Sequence, residues 1–295
     1  MNSKQPVFEV ESAKLYTPYG KNVLITGATK GIGRATAIEM ARLGAKVFVC
    51  ARGEEELTLF LGACKAQGLD VQGQGAKVDW YRICAVDGKM GKLFDRLIAV
   101  ADVAEEEGRK NLIASVDAAF GGKLDVLINN VGTNIPRRET LVQTDDDFDF
   151  LINTNLKSAF SLTRECHSML RASGDSCVIL VSSIAGGPVA MKSGSLYAMT
   201  KASMNQLTKN LTCEWSKDGI RVLSVAPGYI ETPLAEKVLK DEEYKKSVLD
   251  RVPMKRIGKP EEVARVMAFL SSPGASYMSG NTVHIDGGYS VMGLF

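Results

Sequence analysis

The chain has 295 residues, 45% of them hydrophobic and 24% charged, with a formal net charge of +2. That length suits one large globular domain or two small ones, and the near-neutral charge points to neither nucleic acid nor an anionic membrane surface as a partner. Two histidines, His167 and His284, and 6 scattered cysteines without a C-x-x-C argue against a zinc site.

No apolar run is long enough to cross a bilayer. Residues 1–19 read as a polar N-terminal tail without the apolar core of a signal peptide. Val291–Phe295 is no recognisable targeting signal. Most of the cysteines (Cys50, Cys64, Cys84, Cys166, Cys177, Cys213) lie in apolar surroundings, as buried free thiols do. A reducing compartment follows, most simply the cytoplasm.

Val23–Thr26 is a short apolar run that leads straight into Gly27-Ala-Thr-Lys-Gly31-Ile-Gly33. Arg34–Leu43 then carries apolar residues at helical spacing, Gly44 closes the helix, and Ala45–Cys50 reads as a second strand. Strand, glycine turn, helix, strand is the setting in which a glycine motif signals a dinucleotide. The spacing is G-x-x-x-G-x-G, but the physics is shared. Glycines let the backbone turn and approach a pyrophosphate, and a helix N-terminus offers free N–H groups and a positive dipole end. A tight loop with no ligand is the bland alternative.

The second strand ends in Cys50-Ala51-Arg52, without the acid that bonds the ribose 2′-hydroxyl of NAD. Arg52 and Lys30 are candidates to clamp a 2′-phosphate, which favours NADP(H). In the alternative both are surface charges and Glu54 does the acid's work.

Further on, strands alternate with helices. A helix is predicted over about Glu54–Gln67, and strands over Leu124–Asn129, Cys177–Ser182, Arg221–Ala226 and Thr282–Ile285. Helical stretches fall at Asp147–Leu170, at Tyr197–Trp215 and at Glu261–Leu270. The alternation predicts one doubly wound parallel α/β sheet of about seven strands, a Rossmann fold over residues 20–295. Motifs gather just after the strands, where such sheets bind ligands. No repeat or low-complexity linker marks off a second domain.

Tyr197 and Lys201 stand four apart, on one face of a helix. A nearby ammonium favours phenolate over phenol and lowers a tyrosine pKa from about 10. Such a tyrosine trades protons near neutral pH. Alone, the pair reads better as a core tyrosine and a solvated lysine, since Y-x-x-x-K arises often by chance.

The ordered set T-G-x-x-x-G-x-G (Thr26–Gly33), N-N-x-G (Asn129–Gly132), a serine after the next strand, Y-x-x-x-K and P-G resembles the short-chain dehydrogenase/reductase family, from about Tyr19 to Gly293. Asn129–Asn134, Asn205–Thr208, Cys213–Trp215 and Ala275–Tyr277 look most like its tropinone-reductase-like branch. The resemblance implies that Tyr197 is the general acid, that Lys201 lowers its pKa and holds the nicotinamide ribose, and that Ser183 hydrogen-bonds the substrate oxygen. Asn155, in Asn153–Leu156, would anchor a water in a proton relay, or else simply bond a backbone carbonyl. Gly27, Gly31, Ile32 and Gly33 would wrap the pyrophosphate, with Thr29 and Lys30 also counted among the cofactor-binding residues. Asn129 and Gly132 would line the cleft, Pro227, Gly228 and Thr232 would cover the carboxamide, and Ile230 would also bind the cofactor. Asp102 and Val103 would form the adenine pocket. A homodimer or homotetramer is implied, with contacts through the helix bearing Leu207, Leu211 and Trp215.

Three features depart from the pattern or stay open. Ser182 and Ser183 both follow the strand, and the interval from Ser183 to Tyr197 is slightly long, so the loop Ile184–Leu196 is expected to be extended. Val71-Gln-Gly73 connects to Val100-Ala-Asp102 only if about 74–99 is an insertion; Asp102, not Asp79, keeps the family interval to Asn129. That insertion carries an amphipathic stripe from Met90 to Ile98. It is either a surface excursion or an intervening sequence that disrupts the third strand. The substrate lid is expected at about 229–253, with Leu234, Val238 and Leu239 against the pocket; its charges read equally as a solvated helix. The leading function is NADPH-dependent reduction of a small or medium-sized ketone, reversible as an alcohol dehydrogenase. The rivals are a 3-oxoacyl-carrier-protein reductase, docking through Arg137 and Arg138, and a non-catalytic NADP-binding sensor or scaffold.

Overall fold

The computed structural model describes residues 14–74, 101–135, 139–190 and 194–293. Seven strands form one parallel sheet: β1 (Asn22–Thr26), β2 (Lys46–Cys50), β3 (Val71–Gln74), β4 (Val126–Asn129), β5 (Ser176–Val181), β6 (Ile220–Pro227) and β7 (Thr282–Ile285). Their order is β3-β2-β1-β4-β5-β6-β7. The winding direction reverses between β1 and β4, whose registers run Val23↔Val126 to Ile25↔Ile128. A cleft opens at the carboxyl ends of strands at such a switch point.

Ten helices of the α type belong to the described residues: α1 (Gly31–Arg42), α2 (Glu54–Ala66), α3 (Glu106–Phe120), α4 (Asp145–Leu151), α5 (Ser158–Glu165), α6 (His167–Ser173), α7 (Ser195–Trp215), α8 (Pro233–Leu239), α9 (Glu242–Arg251) and α10 (Pro260–Leu270). The strands bury both faces, so successive residues enter different cores. Val23 and Ile25 of β1 pack with Met40 of α1, Phe60 of α2 and Met267 of α10. Leu24, between them, packs in the opposite core with Leu112 of α3, Leu162 of α5 and Met204 of α7. Two helical layers over one sheet result, as the alternation of elements predicts.

Two regions differ from the sequence reading. Asp147–Leu170 is not one helix. It divides into α4, a π-helical turn over Ile152–Lys157, and α5, with α6 following. Asn155 sits in that π turn, fully buried. Thr144 starts α4 with a reciprocal capping box to Asp147, which places the helix start slightly earlier than the apolar spacing does.

The other region is the third strand. Val71–Gln74 pairs in parallel with Val47–Cys50, so β3 is built and not disrupted. Of the apparent insertion at 74–99, only Gln74 is among the described residues. The chain returns at Ala101, which is buried with Val103 against Cys50 and Leu112. Buried Arg109 fixes this return. It donates to the carbonyls of Val103 at 3.0 Å and Ala104 at 3.1 Å and pairs with Glu165 of α5 at 3.1 Å. Gly108 lets α3 come up against the turn, because a Cβ there would collide with the Asp102 carbonyl oxygen. Among the described residues no helix is long and apolar enough to cross a membrane.

Candidate active site

A cleft of about 580 Å³ runs along the carboxyl ends of the strands, a size typical of small-molecule and cofactor sites. One end is the glycine turn. Thr26 ends β1, and its Oγ1 accepts from the backbone N–H of Asn130 at 3.0 Å and of Val131 at 3.1 Å. Asn130 Nδ2 donates in return to the carbonyls of Thr26 at 2.9 Å and Gly27 at 3.0 Å. The ends of β1 and β4 are thereby latched together. Gly27 and Gly31 take left-handed φ values of 65° and 53°, which other residues adopt only with strain. The N-terminus of α1 carries no side-chain cap, so its first N–H groups remain for a ligand.

Gly27, Thr29, Lys30, Gly31, Ile32, Arg52, Asp102, Val103, Gly132, Pro227, Gly228, Ile230 and Thr232 line the cleft, together with Ser183, Tyr197 and Lys201. Gly33 lies beneath the turn, where a Cβ would collide with Asn130 Nδ2 and the Gly27 carbonyl. Its part is close packing under the turn. Glycines that clear the backbone, an uncapped helix start, Lys30 in the glycine turn and Arg52 just after β2 fit a phosphorylated dinucleotide.

One expected lining residue is corrected. Asn129 is buried and turned away from the cleft, its Nδ2 donating to Thr163 Oγ1 at 2.9 Å. Its neighbour Asn130 borders the cleft instead. The cause is strand alternation: Asn129 continues the face of Leu127, which packs in the core with α5. Glu54 does not border the cleft either, whereas Glu56 does.

At the other end α7 presents Tyr197 and Lys201. The Lys201 ammonium lies 5.6 Å from the centroid of the Tyr197 ring and donates to the Val181 carbonyl at 2.8 Å. A Cβ on Gly132 would sit 3.0 Å from Lys201 Nζ and 3.7 Å from Asn155 Oδ1, so all three converge. The two serines separate. Ser182 is buried, and its hydroxyl donates to the Lys201 backbone carbonyl at 2.9 Å, pinning α7 to the end of β5. Ser183 faces the cleft and hydrogen-bonds the Tyr197 hydroxyl. Gly186, which the motifs did not single out, lets the following turn press on α7: a Cβ there would collide with the Lys201 backbone.

The charges differ from the simple picture of a lysine acidifying a tyrosine. Burial raises the Tyr197 pKa above its ordinary value, and the Ser183 hydrogen bond pulls it partly back. Burial also lowers Lys201, to about 8. Desolvation disfavours the charged form of both groups, and it outweighs the pairing that the four-residue spacing suggests.

The Asn155 carboxamide is committed to the neighbouring backbone. Its Oδ1 accepts from Thr133 N at 2.8 Å, and its Nδ2 donates to the Thr133 carbonyl at 2.9 Å and to Thr200 Oγ1 at 3.2 Å. It thus holds the loop after β4 against α7.

The outer wall is the region expected as the lid. Thr232 caps α8 through Ala235 N at 3.3 Å. Leu234 and Val238 line the cleft, but Leu239 borders a separate surface hollow with Glu231 and Lys245. Tyr229, just after β6, has its hydroxyl 2.6 Å from that of Tyr244 on α9, and its ring lies 5.8 Å from the ring of Tyr289. Arg137 and Arg138 lie outside the described residues.

A dinucleotide-type cleft with a serine, a tyrosine and a lysine at its open end defines a class of nicotinamide-dependent oxidoreductases, and the comparisons agree with it. The family model described as short chain dehydrogenase matches residues 21–91, and that described as Enoyl-(Acyl carrier protein) reductase matches residues 62–290. Two tropinone reductase homologs of Arabidopsis thaliana are 41% and 43% identical; the alignments cover 97% and 96% of this chain and 98% and 96% of theirs. Among solved structures, a gluconate 5-dehydrogenase from Burkholderia cenocepacia in complex with NADP and tartrate is similar, with a TM-score of 0.82 and 26% identity over 95% of this chain and 99% of its own. A short-chain type dehydrogenase/reductase from Mycobacterium marinum gives a TM-score of 0.79 and 27% identity over 94% and 98%. The chain belongs to the short-chain dehydrogenase/reductase family, and its similarity to tropinone reductase homologs extends over nearly its whole length.

Proposed function

We propose that the chain reduces a small or medium-sized ketone with NADPH, reversibly, with Tyr197 as the general acid and base. The observation that carries this reading is the convergence of Ser183, Tyr197 and Lys201 at one end of the cleft whose other end is the glycine turn. When bound, the nicotinamide supplies hydride to the carbonyl carbon. Tyr197 gives its hydroxyl proton to the carbonyl oxygen, which Ser183 orients by a hydrogen bond. The Lys201 ammonium, 5.6 Å from the ring centroid, stabilises the phenolate left behind. The Asn155 side chain is taken up by Thr133 and Thr200, so what its π turn offers a relay water is backbone.

Lys30 and Arg52 would receive the 2′-phosphate, Asp102 and Val103 the adenine. Leu234, Val238, Val189 and the phenols of Tyr229 and Tyr244 wall the substrate end, which suits a compact, largely apolar ketone. The five described cysteines are free thiols, four of them buried, in keeping with a cytosolic enzyme. Phe148 and Phe150 of α4, Phe160 of α5 and Met199 of α7 are exposed and offer a homo-oligomer contact; light scattering is expected to return a dimer or tetramer mass, and a monomer mass would refute it.

The test is NADPH oxidation against a panel of cyclic ketones, diketones and acetoacetyl thioesters, repeated with NADH. Turnover of a ketone with preference for NADPH is expected. Tight NADPH binding with no turnover on any of them would favour a sensor, and equal use of NADH would remove the role given to Lys30 and Arg52.

The pH dependence has a definite sign. Burial lowers Lys201 to about 8, so its ammonium is present below that pH and lost above it. Tyr197 is raised, so the acid remains protonated through the same range. The pH profile of kcat/KM for NADPH, which reports groups on the free enzyme, is therefore expected to fall as pH rises through about 8. A flat profile up to pH 10 would contradict the role given to Lys201.

A further inference from the structure

The two cations offered to a 2′-phosphate, Lys30 at the N-cap of α1 and Arg52 just after β2, are already engaged by carboxylates. Lys30 Nζ lies 2.5 Å from Glu56 Oε1, and Arg52 Nη1 lies 3.8 Å from Asp102 Oδ2. All four side chains border the cleft. Asp102 has separate work in its own turn, where Oδ1 accepts from Ala104 N at 3.0 Å. Among the described residues the Glu56 carboxylate hydrogen-bonds Lys30 alone. Glu56 stands in the first turn of α2 and is exposed, so no packing requires a carboxylate there. Glu55, beside it in sequence, does not reach the cleft.

We propose that Glu56 determines cofactor specificity: its carboxylate pairs with Lys30, and a 2′-phosphorylated cofactor binds by taking Lys30 from it. This rests on the NADP(H) reading of the cleft. A phosphate carries more negative charge than a carboxylate and has more acceptor oxygens, so it wins the lysine. Glu56 then stands close to a second anion and opposes it. A cofactor with a free 2′-hydroxyl brings no such charge and leaves the Lys30–Glu56 pair in place. Glu56 thus weakens NADPH selectively and sets how far the protein prefers it to NADH.

The experiment is calorimetric titration of the full chain with NADPH and with NADH, for the wild type, Glu56→Gln and Glu55→Gln. Removing one unit charge a few ångströms from the phosphate at a half-exposed site is expected to tighten NADPH binding about tenfold. NADH binding is expected to change less than about twofold, and Glu55→Gln to change neither cofactor comparably, because charge separated by solvent is screened. Unchanged NADPH affinity in Glu56→Gln overturns the proposal. So does loss of NADH affinity, which would make the carboxylate an acceptor for the ribose hydroxyl. Equal gains from both variants overturn it in favour of a general charge effect. A wild type that binds neither cofactor overturns the cofactor reading beneath it, which the first titration detects separately.

Discussion

Replacing Tyr197 with phenylalanine is expected to lower kcat for ketone reduction by about 10²–10⁴-fold, the usual worth of a positioned general acid, while NADPH binds as before. The substitution removes one oxygen and keeps the ring. Lys201 holds its place through the Val181 carbonyl, not through the phenol, and Ser182 pins α7 at the Lys201 carbonyl. The cleft therefore survives the change, and what disappears is the proton and the Ser183 hydrogen bond. The measurement is steady-state kcat with calorimetric Kd for NADPH on the same preparation. Near wild-type kcat in Tyr197→Phe would move the acid elsewhere; loss of NADPH affinity along with kcat would make Tyr197 a binding residue.

Gly33→Ala is expected to raise the Kd for NADPH by about tenfold or more, since losing even one backbone hydrogen bond to a charged phosphate costs about 1.5–3 kcal/mol. It is also expected to cost about 1–3 kcal/mol of stability, as overpacking does. The added methyl would collide with Asn130 Nδ2 and the Gly27 carbonyl, and would lie 3.1 Å from the Ala28 Cα. Asn130 cannot yield without leaving the carbonyls of Thr26 and Gly27 that it holds at 2.9 and 3.0 Å. The latch between β1 and β4 would open and the glycine turn would lose its shape. Gly62→Ala is the matched control: it lies inside α2 with nothing near its absent Cβ, so alanine there should stabilise by up to about 1 kcal/mol and leave binding alone. Calorimetric Kd and urea unfolding midpoints report both effects. Native affinity in Gly33→Ala would mean that the turn is not where the pyrophosphate lies.

The parts of this site visible in the sequence are those that the backbone dictates. Apolar runs before glycine, asparagine, serine and proline-glycine motifs mark strand ends, and a parallel sheet brings those ends to one edge. The Thr26–Gly33 turn was legible because only glycine turns and clears at those positions. Asn129 was misplaced in the cleft although the alternation of β4 contains the signal: counting from buried Leu127 sends Asn129 to the core and frees Asn130. The π turn at Asn155 was not legible, since Asp147–Leu170 has the residues of a continuous helix and the bonds of Asn155 to Thr133 and Thr200 reach across the fold. Glu56 and Arg109 were missed because each acts across the fold, on Lys30 and on the Val103–Ala104 carbonyls, with ordinary local patterns. The direction of the Tyr197 pKa was missed for a different reason. Spacing places a lysine near a tyrosine, but only the folded surroundings show that burial weighs more than their attraction.

The cleft is proposed to carry a reduction in which the Ser183, Tyr197 and Lys201 end of the site serves the carbonyl. NADPH deuterated on the reactive face of the nicotinamide ring, mixed with wild-type protein and an accepted ketone, tests it most directly by mass spectrometry of the alcohol. Deuterium is expected on the carbinol carbon, and almost none formed in the same time by Tyr197→Phe at equal NADPH occupancy. Bound NADPH that keeps its label in the presence of every ketone tried, or labelled alcohol formed equally fast by Tyr197→Phe, would contradict it.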